Sequence, residues 1–520
     1  MPATFYIEQF GCRATQADAA AIERQLLDRG CTPVRDAASA QFVVVNTCTV
    51  TAAADSQARD AIRKIHASNP AAQIVATGCY AQRAPEDLAT LAGVSWVVGN
   101  SHKPQIAQLI ARPPSAPASN PPRDFVPITA IAPRTSASPV GAQHAAPQLG
   151  TMSAIEISAP RHSLVVPQHA APAQAQILTS DIFVHSHFLS APVLGGESEH
   201  TRPTLKIQDG CNLRCSYCVI PFVRGKSRSL PPDEVIAEIR CLTVEQALVF
   251  TRSPEGPVHS LASPQPFRAR EIVLSGINLG TYGRDLSPRA EFLRLLRRIL
   301  NETQIERLRL SSIEPQDVTQ DLIDLFAETD RLADHFHMPL QSASDPILAA
   351  MHRWYRAAHY ARRVELIRDR LPHAAIGADV IAGFPGETEA DHAATLAFIE
   401  RLPFTYLHVF SYSQRPSTQA ATLPNQVPAH VIKRRARELR SLSESKSAAF
   451  RQSQIGRTLR VLTLRLNPPT KHQEDPHAAA QCTPALSSNY LRVQLPSACT
   501  PNTFHVAHIS RVENSHLIAQ

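Results

Sequence analysis

Residues Lys206–Ser227 read KIQDGCNLRCSYCVIPFVRGKS and hold three cysteines in a C-x3-C-x2-C pattern. These are Cys211, Cys215 and Cys218, and Tyr217 precedes the last of them. Three thiolates this close in one loop suit a metal cluster better than a buried core. A [4Fe–4S] cluster normally takes four cysteine ligands, so three would leave one iron open to another ligand. The stretch therefore predicts an iron–sulfur loop that follows a strand.

Two other uses of these cysteines fit the sequence less well. A structural zinc site usually takes its ligands in pairs and closes a four-coordinate shell, whereas the next cysteine, Cys241, lies further along in a predicted helix. A disulfide needs an even number of partners, and the N-terminus lacks the basic and apolar regions of a secretory signal. A metal cluster remains the favoured interpretation.

The composition is typical of a globular chain with several domains. Its 520 residues are 43% hydrophobic, which predicts about two to four domains with ordinary cores. No apolar run reaches the roughly eighteen residues of a membrane-spanning helix, so we expect a cytoplasmic protein without a membrane segment. The net charge of +7 weakly favours a polyanionic partner.

The N-terminal part alternates between strand-like and helix-like segments. Strand-like runs lie at Phe5–Phe10, Phe42–Asn46 and Gln73–Thr77, and the helix-like runs Gln16–Arg29 and Thr51–Ala67 separate them. This alternation predicts a βαβ sheet with parallel strands.

Each of these three strands is followed closely by a cysteine: Cys12, Cys48 and Cys79. The carboxyl ends of parallel strands meet at the edge of a sheet where ligands bind, so the three thiols are expected to lie together. Free cysteines are also common in cores, and we interpret Cys31, which has no such placement, as structural. For the three at strand ends we favour a second cluster, again with one open iron.

A repeated strand–helix pattern also follows the first cysteine loop. It predicts a parallel barrel, open or closed, with functional groups at the carboxyl ends of its strands. The predicted strands are Glu271–Leu274, Arg307–Leu310, His335–Met338, Ala375–Ile381 and Tyr406–Ser411.

The rest of the chain consists of two insertions and a basic C-terminal part. Residues 113–200 are rich in proline, which disfavours helix and sheet. We therefore predict that they form a largely disordered linker in which only Ile182–Leu189 packs locally. The helix-like run Val431–Gln454 is rich in Arg and Lys, which suits a phosphate backbone, and alternating apolar residues beyond it predict a small β-barrel. The expected layout is a sheet domain at 1–112, the linker at 113–200, the parallel barrel at 201–428 with an insertion at about 244–270, and the basic helix with the small barrel at 429–520.

Several motifs resemble one enzyme family. The C-x3-C-x-Y-C loop is similar to the cluster loop of radical S-adenosylmethionine (SAM) enzymes, whose core is a partial (β/α)6 barrel. The segments GCRATQ, NTCTVT and TGCYAQ resemble the N-terminal domain of methylthiotransferases, which carries an auxiliary [4Fe–4S] cluster, although Thr15 stands where that family usually has Asn. The stretch NYLRVQLP resembles the TRAM domain, a small RNA-binding β-barrel.

The resemblance implies specific ligands and cofactor contacts. The implied metal ligands are the six cysteines in the two three-cysteine sites, three for each cluster. The implied SAM contacts lie in the cysteine loop and at strand ends, although each strand-end segment could by itself be an ordinary turn. They are Tyr217, Ser275, Gly276, Ser312, Glu314, Gly383, Pro385, Gly386 and Glu387.

Three basic residues follow the cysteine loop closely: Arg224, Lys226 and Arg228. They could form a solvated basic face. They could equally neutralise a phosphate group near the site.

The resemblance also implies a reaction. The motifs KIQDGCN, YCVIP, SSIEP and HVFSYS are most similar to the MtaB type of radical SAM methylthiotransferase. That type acts on tRNA and adds a methylthio group to carbon 2 of N6-threonylcarbamoyladenosine beside the anticodon. The implied cofactors are two [4Fe–4S] clusters and SAM. The implied partners are tRNA and an electron donor of the flavodoxin or ferredoxin type, and we expect a monomer.

Three other functions stay open. The substrate could be isopentenyladenosine in tRNA, as for the MiaB type of the family. It could be a ribosomal-protein aspartate, as for the RimO type, although the basic helix disfavours this. From a different class, the chain could be a non-catalytic iron–sulfur RNA-binding protein, which the SAM-site motifs disfavour.

Overall fold

The computed structural model describes residues 2–111, 175–185, 188–192, 201–244, 268–465 and 482–520. An N-terminal sheet, a central parallel barrel and a small C-terminal barrel follow one another along the chain and belong to one unit. None of the helices in these ranges is long and apolar enough to cross a membrane.

The N-terminal part forms a parallel sheet of six strands. The strands are β1 (Thr4–Gln9), β2 (Thr32–Pro33), β3 (Phe42–Thr47), β4 (Gln73–Gly78), β5 (Val94–Gly99) and β6 (Gln176–Leu178). They pair in the order β2-β1-β3-β4-β5-β6. The helices are α1 (Arg13–Asp28), α2 (Ala52–Ser68), α3 (Cys79–Arg83), α4 (Pro85–Ala89) and α5 (Ile106–Ile110). The three predicted strands and two predicted helices are confirmed to within a few residues.

Helices cover both faces of this sheet. Val43 and Val45 of β3 pack with Ile62 of α2 on one face, and Val44 packs with Ile22 of α1 on the other. Successive side chains of a strand point to opposite faces, so a strand buried on both sides reads as a continuous apolar run. The FVVV stretch of β3 has that character for this reason.

The sixth strand corrects the linker prediction. The sequence predicts disorder over 113–200, yet β6 pairs with β5, with Trp96 opposite Gln176. The predicted local packing at Ile182–Leu189 agrees with the burial of Ile182. Pairing with β6 removes an open edge that would otherwise leave backbone groups of β5 unpaired. The remaining linker residues and most of the second insertion, 245–267, lie outside the described residues.

The central part has six parallel strands in chain order. They are β7 (Thr204–Asp209), β9 (Glu271–Gly276), β10 (Arg307–Leu310), β11 (His335–His337), β12 (Ala375–Ala382) and β13 (Tyr406–Ser411), and the short β8 (Arg228–Ser229) pairs antiparallel with β7. Single bridges, such as Ser312 to His337, join the β7–β10 sheet to the β11–β13 sheet. The predicted partial (β/α)6 barrel is therefore confirmed. Its helices are α6 (Ile220–Arg224), α7 (Pro232–Thr243), α8 (Phe292–Glu302), α9 (Gln320–Ala327), α10 (Asp345–Ala350), α11 (Ala357–Arg370) and α12 (Glu389–Arg401).

The basic helix α13 (Ala429–Gln452) follows the barrel, and only part of its charge faces solvent. Arg435 is buried and donates to the Glu387 carboxylate at 2.7 Å. Lys446 donates to the Glu400 and Leu402 carbonyls. Several of the basic residues that suggested a phosphate surface therefore hold the helix against the barrel instead.

The C-terminal residues form a closed five-stranded barrel, as predicted. Its strands are β14 (Thr458–Thr463), β15 (Thr483–Ser487), β16 (Arg492–Leu495), β17 (Phe504–Glu513) and β18 (His516–Ala519), in the order β14-β15-β16-β18-β17. Alternating residues such as Val461, Val493 and Leu517 fill its core. This inward alternation is the pattern that small barrels require.

Two buried arginines of β10 join the C-terminal barrel to the central one. Arg307 donates to the Leu486 carbonyl at 3.0 Å, and Arg309 donates to the Ser487 carbonyl at 3.0 Å. Both also pair with Glu271, which is fully buried. Burial alone would raise the pKa of Glu271, but the two guanidinium groups outweigh it and hold that pKa well below its usual range.

A buried ion cluster joins the N-terminal sheet to the central barrel. Asp18 of α1 accepts from Lys103 at 2.7 Å, from Arg224 at 3.0 Å and from Lys206 of β7. Arg224 and Lys206 also pair with Asp209, at 2.9 and 3.2 Å. We call these five residues the Asp18 ion cluster. Burial would raise the pKa of Asp209, but Arg224 and Lys206 lower it to about 2.

The Asp18 ion cluster corrects the phosphate interpretation of two basic residues. The Arg224 side chain is only 1% exposed and binds the two carboxylates, and Arg228 is buried with a hydrogen bond to the Arg224 carbonyl. Both are therefore engaged with groups of the protein rather than with a phosphate. Lys226 alone of the three is exposed.

Replacing Asp18 with Ala should destabilise the protein strongly. Three buried cations would lose a shared carboxylate, and breaking a buried ion pair on one side costs about 3–5 kcal/mol. The thermal unfolding midpoint of purified Asp18→Ala would measure this loss. Asp28→Ala, at an exposed position of the same helix, should change stability by less than about 0.5 kcal/mol. Equal midpoints for the two variants would contradict the role given to the Asp18 ion cluster.

Candidate active site

The loop with Cys211, Cys215 and Cys218 lies between β7 and α6. Gly210 has φ of +72°, a left-handed conformation that glycine adopts without strain, and a side chain there would collide with the Lys226 carbonyl. The Cys211 N–H donates to the Gly225 carbonyl at 3.0 Å. The chain therefore turns back on itself and holds the three cysteines in one fold of the loop.

The three thiols of this loop lie in a poorly solvated setting with hydrogen-bond donors. Burial, followed by the neighbouring Cys215, raises the pKa of Cys218 to about 12, and burial also raises the pKa of Cys211. The Leu213 N–H lies 3.4 Å from Cys211 Sγ, and Arg353 Nη1 lies 3.4 Å from Cys215 Sγ. Metal coordination deprotonates such thiols, and N–H donors to sulfur are a feature of iron–sulfur sites. The loop residues fit a cluster.

The three strand-end cysteines of the N-terminal domain also lie at one edge of their sheet. Cys12 precedes α1, Cys48 follows β3, and Cys79 opens α3. Burial raises the pKa of Cys48 to about 12, and the nearby thiols of Cys79 and Cys12 add to the rise. Gly11 has φ of +98°, and a Cβ there would lie 2.9 Å from Cys48 Sγ. Its lack of a side chain lets the first strand end approach the second, as a shared cluster would require.

The two cysteine sites are neighbours in space. Cys79 packs against Val219 and Val223 of the segment that directly follows Cys218. Asn100 bridges the same parts: its Nδ2 lies 3.6 Å from Cys79 Sγ and donates to the Val223 carbonyl at 2.8 Å. The sequence predicts each site separately, but it does not predict this contact.

Polar groups without partners lie at the strand ends beside the cysteine loop. Ser275 and Gly276 end β9, and the next turn holds Asn278, whose N–H donates to Gln208 at 2.8 Å. Asn278 Oδ1 and Ser311 Oγ are buried and have no hydrogen-bond partner in the described part of the chain. Buried polar atoms normally have partners, so these orphaned atoms fit a polar ligand such as SAM.

Tyr217, one of the implied SAM contacts, meets the turn at residues 383–387. The rings of Tyr217 and Phe384 lie 6.4 Å apart at 83°, which brings Tyr217 to the turn that holds Gly383, Pro385 and Gly386. Glu387 of the same turn contacts other residues of the protein.

The Glu387 carboxylate binds Arg435 and accepts from the Gly383 N–H at 2.8 Å. Both contacts use one carboxylate oxygen, Oε2, and stabilise the turn, while the SAM contact of Glu387 stays a prediction.

Ser312 and Glu314 follow β10 and meet residues of other strands and loops. Ser312 Oγ lies 2.7 Å from His337 Nδ1. Glu314 pairs with Arg353, the residue that also approaches Cys215. Burial raises the pKa of Glu314, although Arg353 opposes the rise. Arg353 was not among the predicted site residues, because nothing in its local sequence distinguishes it from a surface arginine.

Comparisons with known proteins agree with this site. Residues 4–99 match the uncharacterized protein family UPF0004, and residues 205–399 match the radical SAM superfamily. The chain is 30% identical to the threonylcarbamoyladenosine tRNA methylthiotransferase MtaB of Aquifex aeolicus, over 88% of this chain and 92% of that protein. It is 31% identical to the tRNA-2-methylthio-N(6)-dimethylallyladenosine synthase of Syntrophobacter fumaroxidans, over 89% of this chain and 85% of that protein.

Among solved structures, the chain resembles the radical SAM methyltransferase TsrM of Kitasatospora setae. The TM-score is 0.49 at 16% identity, over 81% of this chain and 77% of that one.

The barrel and its cysteine loop are those of a radical SAM enzyme. With its N-terminal domain and its relatives, the chain belongs to the radical SAM methylthiotransferase family.

Removing the Arg353 contact should lower the reduction potential of a cluster bound in the Cys211 loop. A cationic donor to sulfur stabilises the reduced, more negative cluster. Losing one charge-assisted hydrogen bond corresponds to a shift of up to about 100 mV. We would measure it by EPR-monitored redox titration of Arg353→Met combined with Glu314→Gln, which avoids an unpaired buried carboxylate, and compare it with Glu314→Gln alone. Arg356→Met, at an exposed position nearby, should leave the potential of the wild type unchanged. An equal potential with and without Arg353→Met in the Glu314→Gln background would contradict the assignment.

Proposed function

We propose that the chain is a tRNA methylthiotransferase that adds a methylthio group to carbon 2 of N6-threonylcarbamoyladenosine beside the anticodon. The observation that carries this proposal is the contact between the two cysteine sites, through Cys79, Val219 and Val223. Such closeness serves a reaction in which one site activates a substrate carbon and the other supplies sulfur to it.

The six cysteines are proposed to hold two [4Fe–4S] clusters, each with one iron left for a non-protein ligand. When bound, the clusters and SAM would supply the one-electron chemistry that an unactivated ring carbon requires, with the electron coming from a donor of the flavodoxin or ferredoxin type. The chain's own residues orient these groups. Arg353 fixes Cys215, Gln208 holds the turn of Asn278, and Tyr217 packs on Phe384.

The RNA is proposed to contact the solvent side of α13 and the C-terminal barrel. Lys433, Arg437 and Arg440 of α13 are exposed, as is Arg492 of β16. Val506 of β17 is 77% exposed. Exposed cations bind the phosphate backbone, while unpaired loop bases offer surfaces that apolar and aromatic side chains can cover. We propose that one monomer binds one tRNA in this way.

The choice of base rests on the motifs and on the relatives. The Aquifex protein, named for threonylcarbamoyladenosine, is covered over 92% of its length, compared with 85% for the dimethylallyladenosine synthase. The identities to the two are nearly equal. The threonylcarbamoyl substrate is therefore the first candidate and the isopentenyl type the second.

A modification assay would separate the two substrates. Reconstituted enzyme, SAM, a reductant and sulfide would be incubated with tRNA that carries either threonylcarbamoyladenosine or isopentenyladenosine. We expect methylthio product, measured by mass spectrometry of the nucleosides, from the first tRNA at a rate at least tenfold above the second. Unmodified tRNA is the control. A preference for isopentenyladenosine would overturn the proposed substrate and leave the family assignment intact.

Removing the three strand-end cysteines of the N-terminal domain should separate the functions of the two proposed clusters. The triple variant Cys12→Ala, Cys48→Ala and Cys79→Ala should fall from about eight irons per chain to about four. It should still cleave SAM, but it should form no methylthio product. The matched control replaces three cysteines outside the site, Cys241, Cys482 and Cys499, with Ala and should keep all irons and full activity. About four irons in the wild-type protein would exclude a second cluster.

A further inference from the structure

A group of three metal-binding side chains lies in the central barrel, apart from the six cysteines. It consists of His337 on β11, Asp379 on β12 and His408 on β13, and their ligand atoms all lie within 4.8 Å of one another. His337 Nε2 lies 3.2 Å, and His408 Nδ1 lies 3.4 Å, from the same atom, Asp379 Oδ1. We propose that these three residues hold a divalent first-row transition-metal ion such as Zn²⁺ or Fe²⁺.

The hydrogen bonding of His337 leaves one ring nitrogen for a metal. Its Nδ1 lies 2.7 Å from Ser312 Oγ, which sets the orientation of the ring. Its Nε2 is buried and has no hydrogen-bond partner among the described residues, although Asp379 Oδ1 is near. That oxygen, at 3.2 Å, is itself one of the proposed ligand atoms. A histidine that binds a metal through one ring nitrogen usually forms a hydrogen bond through the other, as Nδ1 of His337 does with Ser312.

Neighbouring residues hold the ring of His337 in place. The Tyr406 ring lies nearly parallel to it, with centroids 5.9 Å apart and 9° between the planes. His408 and Asp379 lie opposite each other in the register of β12 and β13. Paired residues of adjacent strands project their side chains to the same face. The three ligands therefore come from three consecutive strands, which are rigid elements of the barrel.

The ligand set favours a transition metal over a hard cation. Two imidazole nitrogens and one carboxylate oxygen suit Zn²⁺ or Fe²⁺, whereas Mg²⁺ and Ca²⁺ prefer oxygen ligands. Three protein ligands leave at least one position for water or substrate. The His408 side chain is 55% exposed and that of Asp379 is 21% exposed, so an ion can enter from solvent. The site is open on the side of His408.

The proposed ion does not depend on the proposed function, because it is inferred from the three side chains and not from the identity of the substrate. A simpler use of the same residues is a direct contact with a charged group of the substrate. That use requires no metal, and the test distinguishes the two.

Zinc binding by the reconstituted holoenzyme tests the proposal. After anaerobic equilibrium dialysis against Zn²⁺, elemental analysis should find about one zinc per chain in addition to the cluster iron. X-ray absorption at the zinc edge should detect imidazole and oxygen ligands without sulfur. His408→Ala should lose this zinc while keeping its iron, because substitutions at exposed positions change stability little. His430→Ala, an exposed histidine of α13, is the matched control and should bind zinc as the wild type does.

Two further readouts complete the test. Ser312→Ala removes only the partner that orients His337 and should weaken zinc binding about tenfold. Equal zinc binding by His408→Ala and wild type, or sulfur ligands at the zinc edge, would overturn the proposal. So would weaker tRNA binding by His408→Ala in a protein that takes up no zinc. SAM cleavage, measured on the same samples, reports on the proposed function separately.

Discussion

The position of the two cysteine sites relative to each other depends on one buried carboxylate, Asp18. Asp18 forms ion pairs with Lys103 of the N-terminal domain and with Lys206 and Arg224 of the barrel. Charges buried this deeply are tolerated only when they are paired, so the N-terminal sheet and the central barrel cannot separate without a large loss of free energy. Helix α1 begins directly after Cys12, and Arg224 ends the helix that follows Cys218. The Asp18 ion cluster thereby ties the two cysteine sites to one rigid frame.

Both sites use the same property of parallel sheets. In each, the cysteines follow strands at their carboxyl ends, where loops can approach a ligand without breaking the ladder of hydrogen bonds. The Cys79 end of the N-terminal sheet meets the loop after β7 through Val219 and Val223. Burial raises the pKa of several of the thiols, and coordination of a metal would favour their ionised form.

The small C-terminal barrel is attached at the other end of the central strands. Arg307 and Arg309 of β10 donate to carbonyls of the small barrel, and the N–H of Asp334, directly before β11, donates to Ser488 at 2.9 Å. Ser312, which follows the carboxyl end of β10, contacts His337 of the proposed metal site.

Features that depend on local pattern were predictable from the amino-acid sequence. Strand–helix alternation predicted both parallel sheets, and the spacing of Cys211, Cys215 and Cys218 predicted a cluster loop, because these signals arise from residues close in the chain. Only the tertiary structure decided which polar groups meet. Arg353 approaches a cysteine 138 residues away, and Arg224 pairs with Asp18 across 206 residues. Such contacts are set by how the elements pack, so the burial of Arg224 and the structural role of Glu387 could not be read from the sequence.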